Sequence, residues 1–146
     1  MSLRYFTSFL LAAIVLFLSM TYRSVTSSAR LNRREPGAVL HAYFAAWNRN
    51  DTTAQKSFMT EKYASANWYP EPVESVRVIS TKLLDEKTAR LWSTAAPESR
   101  RVYLVVFDYH PQGRGFSMER GRYTWTYVLT WTAQRRSWLI SNYGAG

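Results

Sequence analysis

Arg122-Tyr123-Thr124-Trp125-Thr126-Tyr127-Val128-Leu129-Thr130-Trp131-Thr132 alternates without a break. In an extended chain Tyr123, Trp125, Tyr127, Leu129 and Trp131 share one face, and Thr124, Thr126, Val128, Thr130 and Thr132 share the other. Period two marks a strand, because successive side chains leave a pleated backbone on opposite sides. One face carries aromatic and aliphatic bulk and the other mainly threonine, which suits an antiparallel sheet packed on one side. Ala133-Gln134-Arg135-Arg136 supplies a hairpin turn, and Ser137 to Tyr143 is the returning strand. Upstream, Arg101 to Tyr109 and Ser75 to Leu84 read as two further strands, with a turn at Pro111-Gln112-Gly113-Arg114-Gly115. Asp85 to Pro97 reads as a polar connection with a hairpin turn at Asp85-Glu86-Lys87.

The residues before these strands have helical period. Glu35-Pro36 is a helix start, with proline at the first helical position. Val39, Leu40, Tyr43, Phe44 and Trp47 then form one apolar stripe. The stripe ends at Asn48-Arg49-Asn50-Asp51, a turn-forming tetrad. Asp51 or Thr52 caps a second helix, Thr53 to Met59, with Ala54 and Phe58 inward; Thr60 caps a further turn through Tyr63 and Ala64. Trp68-Tyr69-Pro70-Glu71-Pro72 is irregular, since two prolines forbid continued helix. Helices first and strands after predict an α+β fold: two to three helices packed on a curved antiparallel sheet of four to five strands.

An apolar segment precedes all of this. Tyr5 to Tyr22 contains no charged residue and lies between Arg4 and Arg23. At helical rise it spans about 27 Å, just enough for a bilayer core. Residues 1–22 therefore read as an N-terminal hydrophobic helix, either a signal peptide or a single-pass anchor. Ser27-Ser28-Ala29 offers small residues for cleavage, though at some distance from the apolar run. Residues 23–34 read as a basic polar linker, and 35–146 as the folded domain. Arginines after the segment favour a cytoplasmic domain, whereas the short N-terminus favours export; export to the outer face of a bacterial membrane, or secretion after cleavage, is the expectation.

Composition excludes several chemistries. There is no cysteine, so disulfides, cysteine metal sites and thiol catalysis are out. Only two histidines occur, so no metal site and no cofactor is expected. His41 lies off the apolar stripe, and Asp108-Tyr109-His110 would at most pair an acid with an imidazole at a strand end. The formal net charge is +9, and arginine dominates the cations. Such a chain suits an anionic partner, and Arg30, Arg33 and Arg34 are placed to sit near lipid headgroups. Nucleic acid is not expected: Arg114-Gly115-Phe116 starts like an RNA-recognition octamer, but Ser117-Met118-Glu119 breaks it.

The helix Val39-Leu40-His41-Ala42-Tyr43-Phe44-Ala45-Ala46-Trp47, its Asn48-Arg49-Asn50-Asp51 turn, and the terminal Trp138-Leu139-Ile140-Ser141-Asn142-Tyr143 resemble the nuclear transport factor 2-like superfamily. The likeness covers roughly Glu35 to Tyr143. It implies a cone-shaped fold with helices across a curved sheet, similar to secreted or membrane-tethered bacterial members and to single-pass scaffold subunits of secretion machines. It implies a pocket lined by Tyr43, Trp47, Trp68, Trp125 and Tyr127, and association with a protein partner or a second copy through the sheet. Some members are isomerases or lyases. In that reading Glu71, within Glu71-Pro72-Val73, would act as base with its pKa raised by aromatic walls, and Tyr43 would stabilise an enolate. The later strand carries no second acid between Tyr123 and Trp131, so the leading expectation is a non-catalytic domain binding a small apolar ligand or a partner protein. Alkaline phosphatase fused after Tyr143 should be active in a bacterial host, and an inactive fusion would overturn the export expectation.

Overall fold

Glu35 starts helix α1 (Pro36–Asn48) by accepting from the Gly37 N–H at 3.2 Å and the Ala38 N–H at 2.6 Å. Pro36 has no N–H left to satisfy, so the helix opens with its orphan donors provided for. In the computed structural model residues 32–66, 71–114 and 117–145 are described. The expected apolar helix, Arg30 and Trp68 lie outside them. Among the described residues no helix is long and apolar enough to cross a membrane.

The Asn48-Arg49-Asn50-Asp51 tetrad organises what surrounds it. Asp51 caps α2 (Thr52–Ser57), accepting from the Ala54 N–H at 2.9 Å. Asn50 stands at φ 55°, a left-handed conformation asparagine tolerates. There its amide exchanges two hydrogen bonds with Val73, one to the carbonyl at 3.0 Å and one from the N–H at 2.8 Å. Asn48 accepts from the Val76 N–H at 2.8 Å. A turn thus serves as the neighbouring strand for the start of the sheet. α2 is shorter than the sequence suggests, and Gln55 is its buried residue, while Ala54 is only half-buried. α3 (Glu61–Ser65) follows after Thr60, whose backbone rather than side chain caps it.

Four strands, β1 (Val73–Leu83), β2 (Arg100–Pro111), β3 (Gly121–Thr132) and β4 (Ser137–Ala145), form one antiparallel sheet in sequence order. The fold class is therefore α+β, as the alternation predicted. Val105, Phe107, Tyr109, Tyr127, Leu129 and Ile140 are buried beneath the helices. Residues 85–97 depart from expectation. Instead of a polar hairpin turn, Asp85 caps a short helix α4 (Glu86–Ala89), accepting from the Thr88 N–H at 3.0 Å, and a 3-10 turn covers Pro97–Ser99. Ala89 packs with Leu84, Trp92, Val102 and Val128, so this segment covers part of the sheet's second face. The buried Arg100 guanidinium ties it down, donating to the Ser93 carbonyl and the Glu86 carboxylate.

The two sheet edges are treated differently. On β4 the Trp138 N–H donates to the Arg33 carbonyl at 2.9 Å, the Ile140 N–H donates to the Phe58 carbonyl at 2.8 Å, and the Ile140 carbonyl accepts from the Thr60 N–H at 2.9 Å. On β1 the two asparagines cover only the start, and the strand is exposed from Ile79 to Leu83. The same contacts revise the linker boundary. Arg33 donates to the Ser57 carbonyl at 3.1 Å and Oγ at 3.2 Å, and its guanidinium lies 4.9 Å over the Phe58 ring. Its side chain is engaged within the fold rather than left to meet headgroups. Replacing Asn50 by alanine should lower unfolding free energy by about 2–3 kcal/mol, since two hydrogen bonds are lost and the positive φ becomes strained. Asn50→Gly should cost less, and urea denaturation of both variants compares them.

Candidate ligand-binding interior

The apolar stripe of α1 presents Tyr43, Phe44 and Trp47 to the sheet. Phe44 meets Phe107 and Tyr127, each with ring centroids 5.4 Å away. Trp47 meets Phe107 at 5.9 Å and Tyr109 at 5.8 Å, and Tyr43 meets Tyr127 at 5.9 Å. Trp125 lies 6.4 Å from Tyr127 and stacks on Tyr143 at 5.4 Å with an interplanar angle of 13°. Tyr43, Trp47, Trp125 and Tyr127, expected from sequence to line one pocket, therefore belong to one contiguous aromatic cluster. Tyr43, Trp47 and Tyr127 are buried within it, and Trp125 is half-buried at its margin.

Two tyrosines join this cluster that sequence reasoning did not single out. Tyr63 of α3 meets Tyr143 edge-on at 5.1 Å, and Tyr143 meets Tyr127 at 5.2 Å. The register brings Tyr143 here. Thr132 pairs with Ser137 and Leu129 with Ile140, but an irregularity between Val128 and Leu129 pairs Val128 with Asn142 and Tyr127 with Tyr143. An unbroken hairpin register would have set Asn142 opposite Tyr127. Four tyrosines from α1, α3, β3 and β4 thus converge. Burial, foremost, pushes all four phenol pKa values up, and their mutual repulsion as phenolates adds to it for Tyr127 and Tyr143. They stay protonated at neutral pH. The neighbouring Tyr143 side chain partly offsets the burial effect on Tyr43.

Among the described residues, the buried side-chain groups without a hydrogen-bond partner include the Tyr127, Thr126 and Ser137 hydroxyls, Arg100 Nε and both ends of the Gln55 amide. Buried polar groups are nearly always hydrogen-bonded, and leaving one unpaired costs about 1–3 kcal/mol. A protonated hydroxyl among aromatic rings can donate to a neutral acceptor such as a carbonyl oxygen.

Glu71 behaves otherwise than a raised-pKa base. Its carboxylate accepts from the Ser117 N–H at 2.7 Å and the Tyr109 hydroxyl at 3.3 Å, and its carbonyl accepts from the Trp47 indole at 3.2 Å. Partial burial pushes its pKa up, but the hydrogen bonds from Ser117, Met118 and Tyr109 together outweigh this, and the net shift is downward. Tyr109 is pushed up to about 12, first by burial and then by the Glu71 charge. The tyrosine partner of Glu71 is therefore Tyr109 rather than Tyr43. The other acid–base candidate also resolves differently. Asp108 is clamped by Arg122 at 2.8 Å and Arg77 at 3.1 Å, which hold its carboxyl at about 2, rather than orienting His110. His41 is exposed. Among the described residues no cluster of three or more histidine, aspartate or glutamate side chains could hold a metal ion.

A family model described as "Domain of unknown function (DUF4829)" matches residues 37–144. No curated protein matches the chain. Among solved structures, a SEC-C motif containing protein from Rhodopseudomonas palustris is similar in fold, with a TM-score of 0.52 and 11% identity over 78% of this chain and 80% of that one. The Glu71 contacts carry a pH signature. A carboxyl whose folded pKa is lowered stabilises the fold above its unfolded value and loses that contribution as pH falls through the folded one. The stability difference between the wild-type chain and Glu71→Gln should be full at pH 7 and should close on acidification. A pH-independent difference in thermal denaturation would argue that the charge is irrelevant.

Proposed function

The chain belongs to the DUF4829 family, and we propose that this member is a non-catalytic binding domain whose tyrosine-lined interior takes a small, mainly apolar molecule bearing a neutral carbonyl oxygen. The observation that carries this reading is the Tyr127 hydroxyl: wholly buried, held protonated, and without a hydrogen-bond partner among the described residues. The neighbouring tyrosines supply further donors, and the aromatic rings supply the apolar surround. The layout of helices over an antiparallel sheet also supports the nuclear transport factor 2-like, cone-shaped reading of the fold. The charge-free Tyr5–Tyr22 segment supports work at a bacterial membrane, with the domain on its outer face. The isomerase or lyase reading has less support, because Glu71 is stabilised as an anion by groups other than Tyr43.

A second reading, association with a protein, draws on one observation. The exposed half of β1 carries Ile79 and Leu83, 42% and 51% accessible, on an edge that could accept another strand.

The ligand reading is tested by titrating the full chain in detergent with acetophenone, an aryl ketone, followed by thermal shift and intrinsic fluorescence. Saturable stabilisation is expected. Tyr127→Phe should fold normally and weaken binding about 5–10-fold, the loss of one hydrogen bond worth about 1–1.5 kcal/mol. Equal affinity in the wild type and Tyr127→Phe would remove the proposed role of that hydroxyl.

A further inference from the structure

Trp138 contacts arginines from two other parts of the chain, two through their carbonyls and one through its guanidinium. Its indole N–H donates to the Arg34 carbonyl at 3.1 Å, and its backbone N–H donates to the Arg33 carbonyl. The Arg101 guanidinium lies 5.2 Å over its ring. Trp131, directly across the β3–β4 ladder, meets it at 5.7 Å and remains half-buried. The turn that joins these two tryptophan strands carries Arg135 and Arg136, both exposed. Arg136 stands at φ 50°, a conformation that glycine or asparagine adopts at least cost, yet the position holds a cation. Arg34, Arg101 and the Arg135–Arg136 turn therefore lie toward the end of the sheet that carries Trp131 and Trp138. Two carboxylates are near in sequence. Glu35 is occupied in capping α1, and Glu98 lies in the 3-10 turn whose Pro97 carbonyl accepts from Arg101 at 2.8 Å.

We propose that this end of the domain is a docking surface for an anionic lipid bilayer, with the arginines meeting headgroup phosphates and Trp131 seated at the interfacial level. Tryptophan and arginine are the side chains that combine apolar bulk with a polar or cationic tip suited to that boundary. The chain's own course points to the same occupant. The described residues begin at Asn32, beside this surface, and the charge-free Tyr5–Tyr22 stretch is separated from it by residues 23–31 alone. Nine extended residues span at most about 30 Å. This inference rests on the reading of Tyr5–Tyr22 as a membrane segment for its choice of partner. The surface itself is built from folded residues and is testable apart from that segment.

The absence of cysteine allows single-site labelling. The full chain carrying Gln134→Cys, in the β3–β4 turn, or Gln112→Cys, beyond the far end of β2, is labelled with a donor fluorophore. Each is mixed with vesicles of phosphatidylcholine alone, or with about one third phosphatidylglycerol, that contain a headgroup-linked acceptor. Flotation reports binding, and energy transfer reports docking. Transfer from position 134 should exceed that from 112, should rise at least threefold with phosphatidylglycerol, and should fall back in half-molar salt. Arg135→Gln with Arg136→Gln should abolish the rise while leaving the circular dichroism unchanged. Flotation with both compositions but lipid-independent, equal transfer from both positions overturns the docking surface and leaves the membrane segment standing. Flotation only with phosphatidylglycerol, lost in the double variant, upholds the surface and removes the anchor. Failure to float with either composition overturns both. Tight salt-sensitive binding of a soluble polyanion, with no preference for phosphatidylglycerol vesicles, overturns the choice of a bilayer as partner.

Discussion

The packing of Phe44 and Trp47 onto Phe107, Tyr109 and Tyr127 is the contact on which the remaining structure depends. A sheet with one apolar face is not stable in water until something covers it. α1 is the longest of the helices described here and brings the largest rings to the sheet. Truncating a single buried ring of this kind costs about 3–5 kcal/mol. Once α1 lies across β2 and β3, its C-terminal turn must arrive at β1, and Asn48 and Asn50 are there to bond that strand's outer edge. The path after the turn then sends α2 toward β4, where the backbone around Phe58 and Thr60 bonds the opposite edge. Helix placement and edge protection are in this way consequences of one aromatic interface.

The same interface sets the chemistry of the interior. Aromatic walls exclude water, so a phenol within them is held neutral and acts as a donor. Tyr43, Tyr63, Tyr127 and Tyr143 share that environment, and none of them is a candidate for a readily formed phenolate. Glu71 lies under a different influence, where backbone N–H groups from the segment after β2 keep it anionic. The second face of the sheet is partly covered too, since Arg100 fastens the α4 segment over Val102 and Val128. Removing Glu86 would leave a buried guanidinium with only its carbonyl partner, a costly outcome for so short a helix.

Charge is distributed with similar economy. Arg77 and Arg122 flank Asp108, Arg120 pairs with Glu74, and Arg90 and Arg100 share Glu86. These pairs engage three of the ten acidic residues, Glu74, Glu86 and Asp108. Arg34, Arg101, Arg135 and Arg136 lie toward the end of the sheet that carries Trp131 and Trp138. Exposed pairs of the first kind contribute little to stability, typically under about 1 kcal/mol each.

The sequence by itself determined the elements. Alternation over Arg122–Thr132 and the stripe from Val39 to Trp47 are repeating signals, and each is read locally because backbone geometry fixes period and face. Those signals also placed Tyr43, Trp47, Trp125 and Tyr127 on faces that meet. The tertiary structure alone decided what depends on contact between distant segments. The irregularity between Val128 and Leu129 sets Tyr143 rather than Asn142 opposite Tyr127, and nothing in the local pattern announces it. Tyr109 rather than Tyr43 serves Glu71, because strand pairing carries the end of β2 to the start of β1. Arg33 is drawn into the fold by Ser57 and Phe58, although its neighbours in sequence look like a solvated basic tether. Hydrogen bonds and ring contacts of this kind join residues separated by sixteen or more positions, so only the folded chain can select them.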